Sequence, residues 1–74
     1  MTLNQLPTGK RARVVRLSDE CAMRDRLQDL GLLPGGHVTA LMRSPLGDPT
    51  AFLICGAVIA LRWEDAIGVE IRME

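Results

Sequence analysis

The chain alternates apolar and polar positions at two different periods, and the changes of period divide it into elements. Val14 and Val15 lie among Arg11, Arg13 and Arg16, which predicts a first strand over Ala12–Leu17 with a charged, solvated face. Met23, Leu27 and Leu30 then recur at helical spacing and fall on one face of a helix. Ser18 or Asp19 can cap its free amides, and the acidic pair Asp19–Glu20 suits the positive end of its dipole. Gly31 accepts the left-handed backbone that ends a helix. One short helix is therefore expected from about Glu20 to Leu30. Pro34-Gly35 predicts a type II turn, with proline pre-set at its first central position and glycine at its second.

Beyond that turn the period is that of strands. His37–Arg43 alternates Val38, Ala40 and Met42 with Thr39, Leu41 and Arg43. Ser44-Pro45-Leu46-Gly47-Asp48-Pro49 is dense in turn formers and reads as a loop. Thr50–Cys55 and Val58–Arg62 read as a hairpin with its tight turn at Gly56. Trp63–Ala66 reads as a single helical turn. Ile67, Val69 and Ile71 alternate with polar partners in a final half-buried strand. The pattern is mainly β, with about five strands and one short α-helix. Strands this short in a chain this small favour a strongly bent barrel that removes most sheet edges.

Composition narrows what such a barrel does. The chain has 74 residues, enough for a single domain over 1–74 with one core and a thin stability margin. Nine basic and nine acidic side chains cancel, where a dedicated nucleic-acid binder is clearly basic. Only Phe52 and Trp63 are aromatic, too few for base-stacking platforms or a proline-peptide groove. The longest apolar run, Ala51–Leu61, is interrupted by Gly56 and falls well short of the roughly 20 residues of a membrane span. The N-terminus lacks a signal-peptide pattern. Cys21 and Cys55 are far apart and set among apolar neighbours, so both are expected as buried free thiols in a reducing, cytoplasmic compartment.

Catalytic machinery is not recognisable. His37 is the one histidine, at the start of a strand, and is expected at the surface. Its imidazole is a weak candidate metal ligand, with no cysteine or second histidine at ligand spacing. Gly35-Gly36 precedes a strand and lacks a phosphate-cradling pattern. Glu64-Asp65 reads as a helix cap or solvated charge. These features predict a non-enzymatic binding module whose function lies in exposed loops and patches.

Several segments in their order carry a resemblance. Leu3-x-x-Leu6-x-x-Gly9 and Ala12-x-Val14 open the chain. A helix end reads Arg26-Leu27-Gln28-Asp29-Leu30-Gly31-Leu32-Leu33-Pro34-Gly35. Ser44–Pro49 follows, then Ile59-Ala60-Leu61-Arg62, Asp65-Ala66 and Ile67–Ile71. From Leu3 to about Ile71 the chain resembles the FeoA family, the small component of bacterial ferrous-iron uptake systems. The resemblance implies an SH3-like barrel. It also implies a partner, the FeoB-type membrane permease with its G-protein-like cytosolic domain, which FeoA-like proteins support or modulate. The family is often described as binding transition metals, so a metal-binding or metal-sensing module with His37 and a thiol as ligands is the alternative. No cofactor, nucleic acid or membrane insertion is expected. The apolar strands Phe52–Ile54 and Val58–Ile59 leave room for a homo-oligomer. In this frame Leu3 and Leu6 seal one end of the barrel, Gly9 turns the chain into the first strand, and Leu27 and Leu30 plug the barrel. A Leu30→Asp change is then expected to damage folding. Candidate partner-binding residues are Arg24, Arg26, Leu33, Leu46, Asp48 and Arg62.

Overall fold

The computed structural model describes residues 1–21 and 23–74. Five strands form one antiparallel sheet in the order β4-β3-β2-β1-β5. They are β1 (Arg11–Leu17), β2 (His37–Arg43), β3 (Thr50–Ile54), β4 (Ala57–Leu61) and β5 (Val69–Met73). Two short helices, α1 (Arg24–Asp29) and α2 (Trp63–Ala66), and an N-terminal 3-10 turn over Leu3–Gln5 complete the chain. The mainly-β architecture with five strands agrees with the sequence pattern, and the Trp63–Ala66 turn is the second helix.

The sheet closes over one apolar core. Leu3, Leu6, Val14, Leu27, Leu32, Val38, Phe52, Ile54, Leu61 and Val69 are essentially withdrawn from water. Each such side chain contributes roughly 1.5–3 kcal/mol relative to exposure, which a domain this small needs. Leu3 and Leu6 come from the N-terminal turn and seal the barrel as expected. The turn at Pro34-Gly35 also forms as expected, with Gly35 at φ 88 and Gly36 N–H donating to the Leu33 carbonyl at 2.8 Å.

The helix differs from its expected span. α1 begins at Arg24, with Met23 as its N-cap. Ser18 does not cap it: its Oγ accepts from Glu20 N–H at 3.2 Å, and Cys21 N–H donates to the Ser18 carbonyl at 3.1 Å. The polar run that resembles a helix start is thus spent on a turn of its own. The expected span also ran through Ala22, which lies outside the described residues.

The helix end is also redistributed. Gly31 takes φ 104, its N–H donates to the Gln28 carbonyl at 3.0 Å, and Leu32 N–H donates to the Leu27 carbonyl at 2.9 Å. This pair of bonds reverses the chain after the last turn and brings the second residue beyond the cap back onto the helix. Leu32 therefore joins Leu27 in the core, while Leu30 stays 39% exposed. Leu30 does not plug the barrel, and the expected folding role belongs to Leu32.

Two bulges break the period-2 reading. The register shifts between Val14 and Arg16 against β5, and between Ala40 and Met42 against β3. An inserted residue puts two consecutive side chains on the same side of the pairing. Val15 and Arg16 are therefore both exposed, as are Leu41 and Met42. Ile67 precedes β5 and is likewise exposed. Cys55 is exposed rather than buried, because it occupies the hairpin turn at φ 49 beside Gly56 at φ 80. Cys21 is half-buried, its thiol directed at the Asp65 carbonyl at 3.8 Å.

Candidate functional site

The loop 44–49 is held in shape by its own polar groups. Gly47 N–H donates to the Ser44 carbonyl at 2.8 Å, Ser44 N–H donates to the Pro49 carbonyl at 3.1 Å, and Ser44 Oγ donates to the Asp48 carbonyl at 2.7 Å. This rigid loop aims the Asp48 carboxylate at α2. Asp48 Oδ1 accepts from Trp63 N–H at 2.7 Å, and Asp48 Oδ2 lies 3.8 Å from Arg62 Nη1. A helix leaves its first amides without partners, and a carboxylate there satisfies one and complements the dipole. Asp48 is thus a cap supplied from another part of the chain.

The result is a small cleft of about 40 Å³ between the loop, α2 and the N-terminal turn. Asn4, Arg43, Asp48 and Trp63 line it, over a buried floor of Thr50, Phe52, Leu61 and Ala66. Trp63 is 58% exposed and Leu46, at the tip of the loop, is 94% exposed. An exposed tryptophan beside an arginine, an aspartate and an apolar loop tip has the composition of protein-contact hot spots, where Trp and Arg are enriched. A 94%-exposed leucine has no folding reason to be apolar.

The six candidate residues do not form one cluster. Asp48 lines this cleft, Arg62 lies beside the cleft at 3.8 Å from Asp48, and Leu46 stands in the same loop as Asp48. Arg24, Arg26 and Leu33 belong to α1 and the turn after it. Arg24 Nη1 bonds Asp19 Oδ1 at 2.9 Å, while its Nε is shut from solvent with no hydrogen-bond partner among the described residues. Arg26 and Leu33 are exposed. Trp63 and Arg43 were not singled out from the sequence. The available signal for Trp63 was a large apolar side chain just beyond a strand, flanked by Arg62, Glu64 and Asp65.

His37 lies on the outer side of the sheet. It faces Arg13 across the β1–β2 ladder, and its Nδ1 contacts Glu74 Oε1. The same carboxylate is 3.6 Å from Arg11 Nε and 3.8 Å from Arg13 Nε. Among the described residues, no group of three or more His, Cys, Asp or Glu side chains could hold a metal ion. Among the described residues, no helix is long and apolar enough to cross a membrane.

A five-stranded antiparallel sheet bent around one core, a helical excursion between its first two strands and a helical turn before its last define a small SH3-like β-barrel with a loop-lined cleft at one end. The comparisons with known proteins sharpen that class. The FeoA domain family matches residues 1–73, and the chain belongs to this family of ferrous-iron transport proteins. The solution structure of the FeoA protein from Chlorobium tepidum is 37% identical with a TM-score of 0.91, covering 99% of this chain and 70% of that one. The FeoA of Stenotrophomonas maltophilia, solved in complex with zinc and described as a procaryotic SH3 domain protein, is 29% identical with a TM-score of 0.86, covering 97% of this chain and 89% of that one. A Fe(2+) transport protein A/Fe(2+) transporter FeoB fusion protein from Porphyromonas gingivalis is 33% identical over 73 residues, 99% of this chain but 9% of the fusion.

Proposed function

We propose that this domain is a non-enzymatic adaptor of ferrous-iron uptake that docks on the cytosolic part of a FeoB-type permease, with the Asp48–Arg62–Trp63 cleft and the Leu46 loop as its contact surface. The observation that carries this reading is the Porphyromonas gingivalis fusion, in which a relative of the whole chain is joined covalently to a FeoB transporter. Fusion supplies a high effective concentration for two modules that act together, and separate chains must replace it with a contact surface. The exposed Leu46 and Trp63 supply apolar anchors, and Arg62 and Arg43 supply charged partners. The test is titration calorimetry of the chain against the isolated cytosolic domain of its permease, with and without GTP and ferrous iron. Saturable binding is expected, weakened at least tenfold by Leu46→Asp and by Trp63→Ala, a loss of about 1.4 kcal/mol or more. Binding unchanged in both variants moves the contact to another face, and absence of binding in every condition defeats the reading.

A second reading is a transition-metal-binding module, favoured by the contact between His37 Nδ1 and the Glu74 carboxylate, which already joins two hard-to-intermediate donors. Zinc or ferrous-ion binding abolished by His37→Ala is its expected signature. Binding of neither ion by the unaltered chain removes it.

A further inference from the structure

The two edges of the sheet are treated differently. At the β5 edge, the N-terminal residues cover the strand: Thr2 bridges Glu70, and Ile71 N–H donates to the Met1 carbonyl at 2.8 Å. Among the described residues the β4 edge has no such cover. β4 pairs only with β3, in an unbroken register from Ile54↔Ala57 to Thr50↔Leu61. An antiparallel ladder alternates inward and outward backbone groups. The two-residue turn Cys55-Gly56 makes Ile54↔Ala57 a bonded pair, so the N–H and C=O of Val58 and Ala60 point away from β3. Among the described residues no other backbone hydrogen bond reaches them. Edge strands are normally blunted by charge, proline or a bulge. Ala57-Val58-Ile59-Ala60-Leu61 has none of these, and Val58 is 67% exposed.

We propose that the β4 edge is a self-association surface, and that its occupant is the β4 strand of a second copy of this chain, antiparallel and related by a two-fold axis at Ile59. The register is self-complementary. Val58 and Ala60 lie symmetrically about Ile59, so each faces the other residue type across the axis and about four backbone hydrogen bonds form. The larger Val58 side chain lies opposite the small Ala60. The strand carries no charge, so two copies do not repel. Arg62 faces Gly56 of the second copy rather than another arginine. The pairing also extends the apolar outer surface of Val58 and Leu53 across the axis, both of which are exposed in the single chain. It closes on itself, as isologous contacts do. A foreign apolar strand could satisfy the same groups, but nothing in its sequence would be fixed by this symmetry. An interface made of one short strand per copy is at the small end of the range, so association is expected to be weak and concentration-dependent.

The inference is independent of the permease reading, and its test uses neither permease nor iron. Sedimentation velocity of the full chain from micromolar to millimolar concentration is expected to show reversible dimerisation. Slowed exchange of the Val58 and Ala60 amides should rise with it. Val58→Lys places charge on the edge, and Ala60→Pro removes an outward N–H without touching the β3 ladder. Each is expected to weaken dimerisation by about tenfold or more, with the folded monomer retained by circular dichroism. A chain that stays monomeric to 1 mM overturns the proposal. So does a dimer that survives Val58→Lys while its edge amides exchange freely.

Discussion

Gly31 is where one side chain too many would be felt. It sits at φ 104, and a Cβ built on it would lie 2.5 Å from the Cys55 Sγ and 3.0 Å from the Cys55 Cβ. Gly31→Ala is therefore expected to cost about 1–3 kcal/mol, from left-handed strain and from the clash together. Combining it with Cys55→Gly should recover only the clash portion, which thermal melts of both variants would separate. The neighbouring leucines give a sharper contrast. Leu27 is fully buried, and Leu27→Ala should cost about 2–5 kcal/mol. Leu30→Asp should stay within about 1 kcal/mol of the parent, because Leu30 is at the surface. Leu30→Asp melting as early as Leu27→Ala would instead place Leu30 in the core. The periodicity that joined Leu27 and Leu30 is genuine. What it could not convey is that Gly31 reverses the chain and lets Leu32 compete for the same space.

At the scale of elements, the coupling between the 44–49 loop and α2 is the feature that builds the site. A helix of four residues has no stability of its own, since nucleation is costly. α2 persists because Asp48 caps it from a loop already braced by Ser44, and because Ala66 is buried beneath it. Asp48→Ala is expected to lower stability by about 1 kcal/mol, or about 4–8 °C in Tm for a domain of this size. The Trp63 amide should exchange faster in that variant. Asp48→Asn should restore most of the loss, since an amide oxygen still accepts from Trp63 N–H. Leu46, Asp48 and Arg62 could each be picked from the sequence as polar or apolar residues in turns. Their convergence could not, because residues 44–49 and 62–66 meet only once the β3–β4 hairpin has folded.

For the whole molecule, the N-terminal segment matters more than its lack of regular structure suggests. Met1–Leu6 contributes two fully buried leucines, one ladder bond to β5 and the Thr2 bridge. Domains of this size are held by roughly 5–15 kcal/mol in all, and each buried leucine accounts for about 2–5 kcal/mol. Removing residues 1–6 should therefore abolish the cooperative thermal transition, which calorimetry would record as loss of the unfolding peak. The charge distribution follows the same whole-molecule logic. Arg13 is flanked by His37 on β2 and by Arg72 on β5, and Glu74 is the counter-charge that Arg11 and Arg13 share. These pairs are solvent-exposed, so Glu74→Gln should change stability by less than about 1 kcal/mol, with the larger effect at low salt.

The sequence by itself determined the class of this protein. Apolar alternation, glycine-bearing turns and the order of short motifs suffice to specify a small barrel of the FeoA family, because they reflect local backbone preferences and the side of each strand that must be buried. Three things were decided only by tertiary structure. The bulges at Val15 and Leu41 turned inward-reading positions out to solvent, since a one-residue shift of register depends on the partner strand. The Schellman reversal at Gly31 exchanged Leu30 for Leu32 in the core. The cleft came from a loop and a helical turn that are distant in sequence, joined by a carboxylate that satisfies an amide no local residue reaches. For the bulges and the cleft the deciding force was a hydrogen bond or a packing contact between segments that no local pattern places side by side; at Gly31 two local bonds make the reversal, and the core then takes Leu32 in place of Leu30.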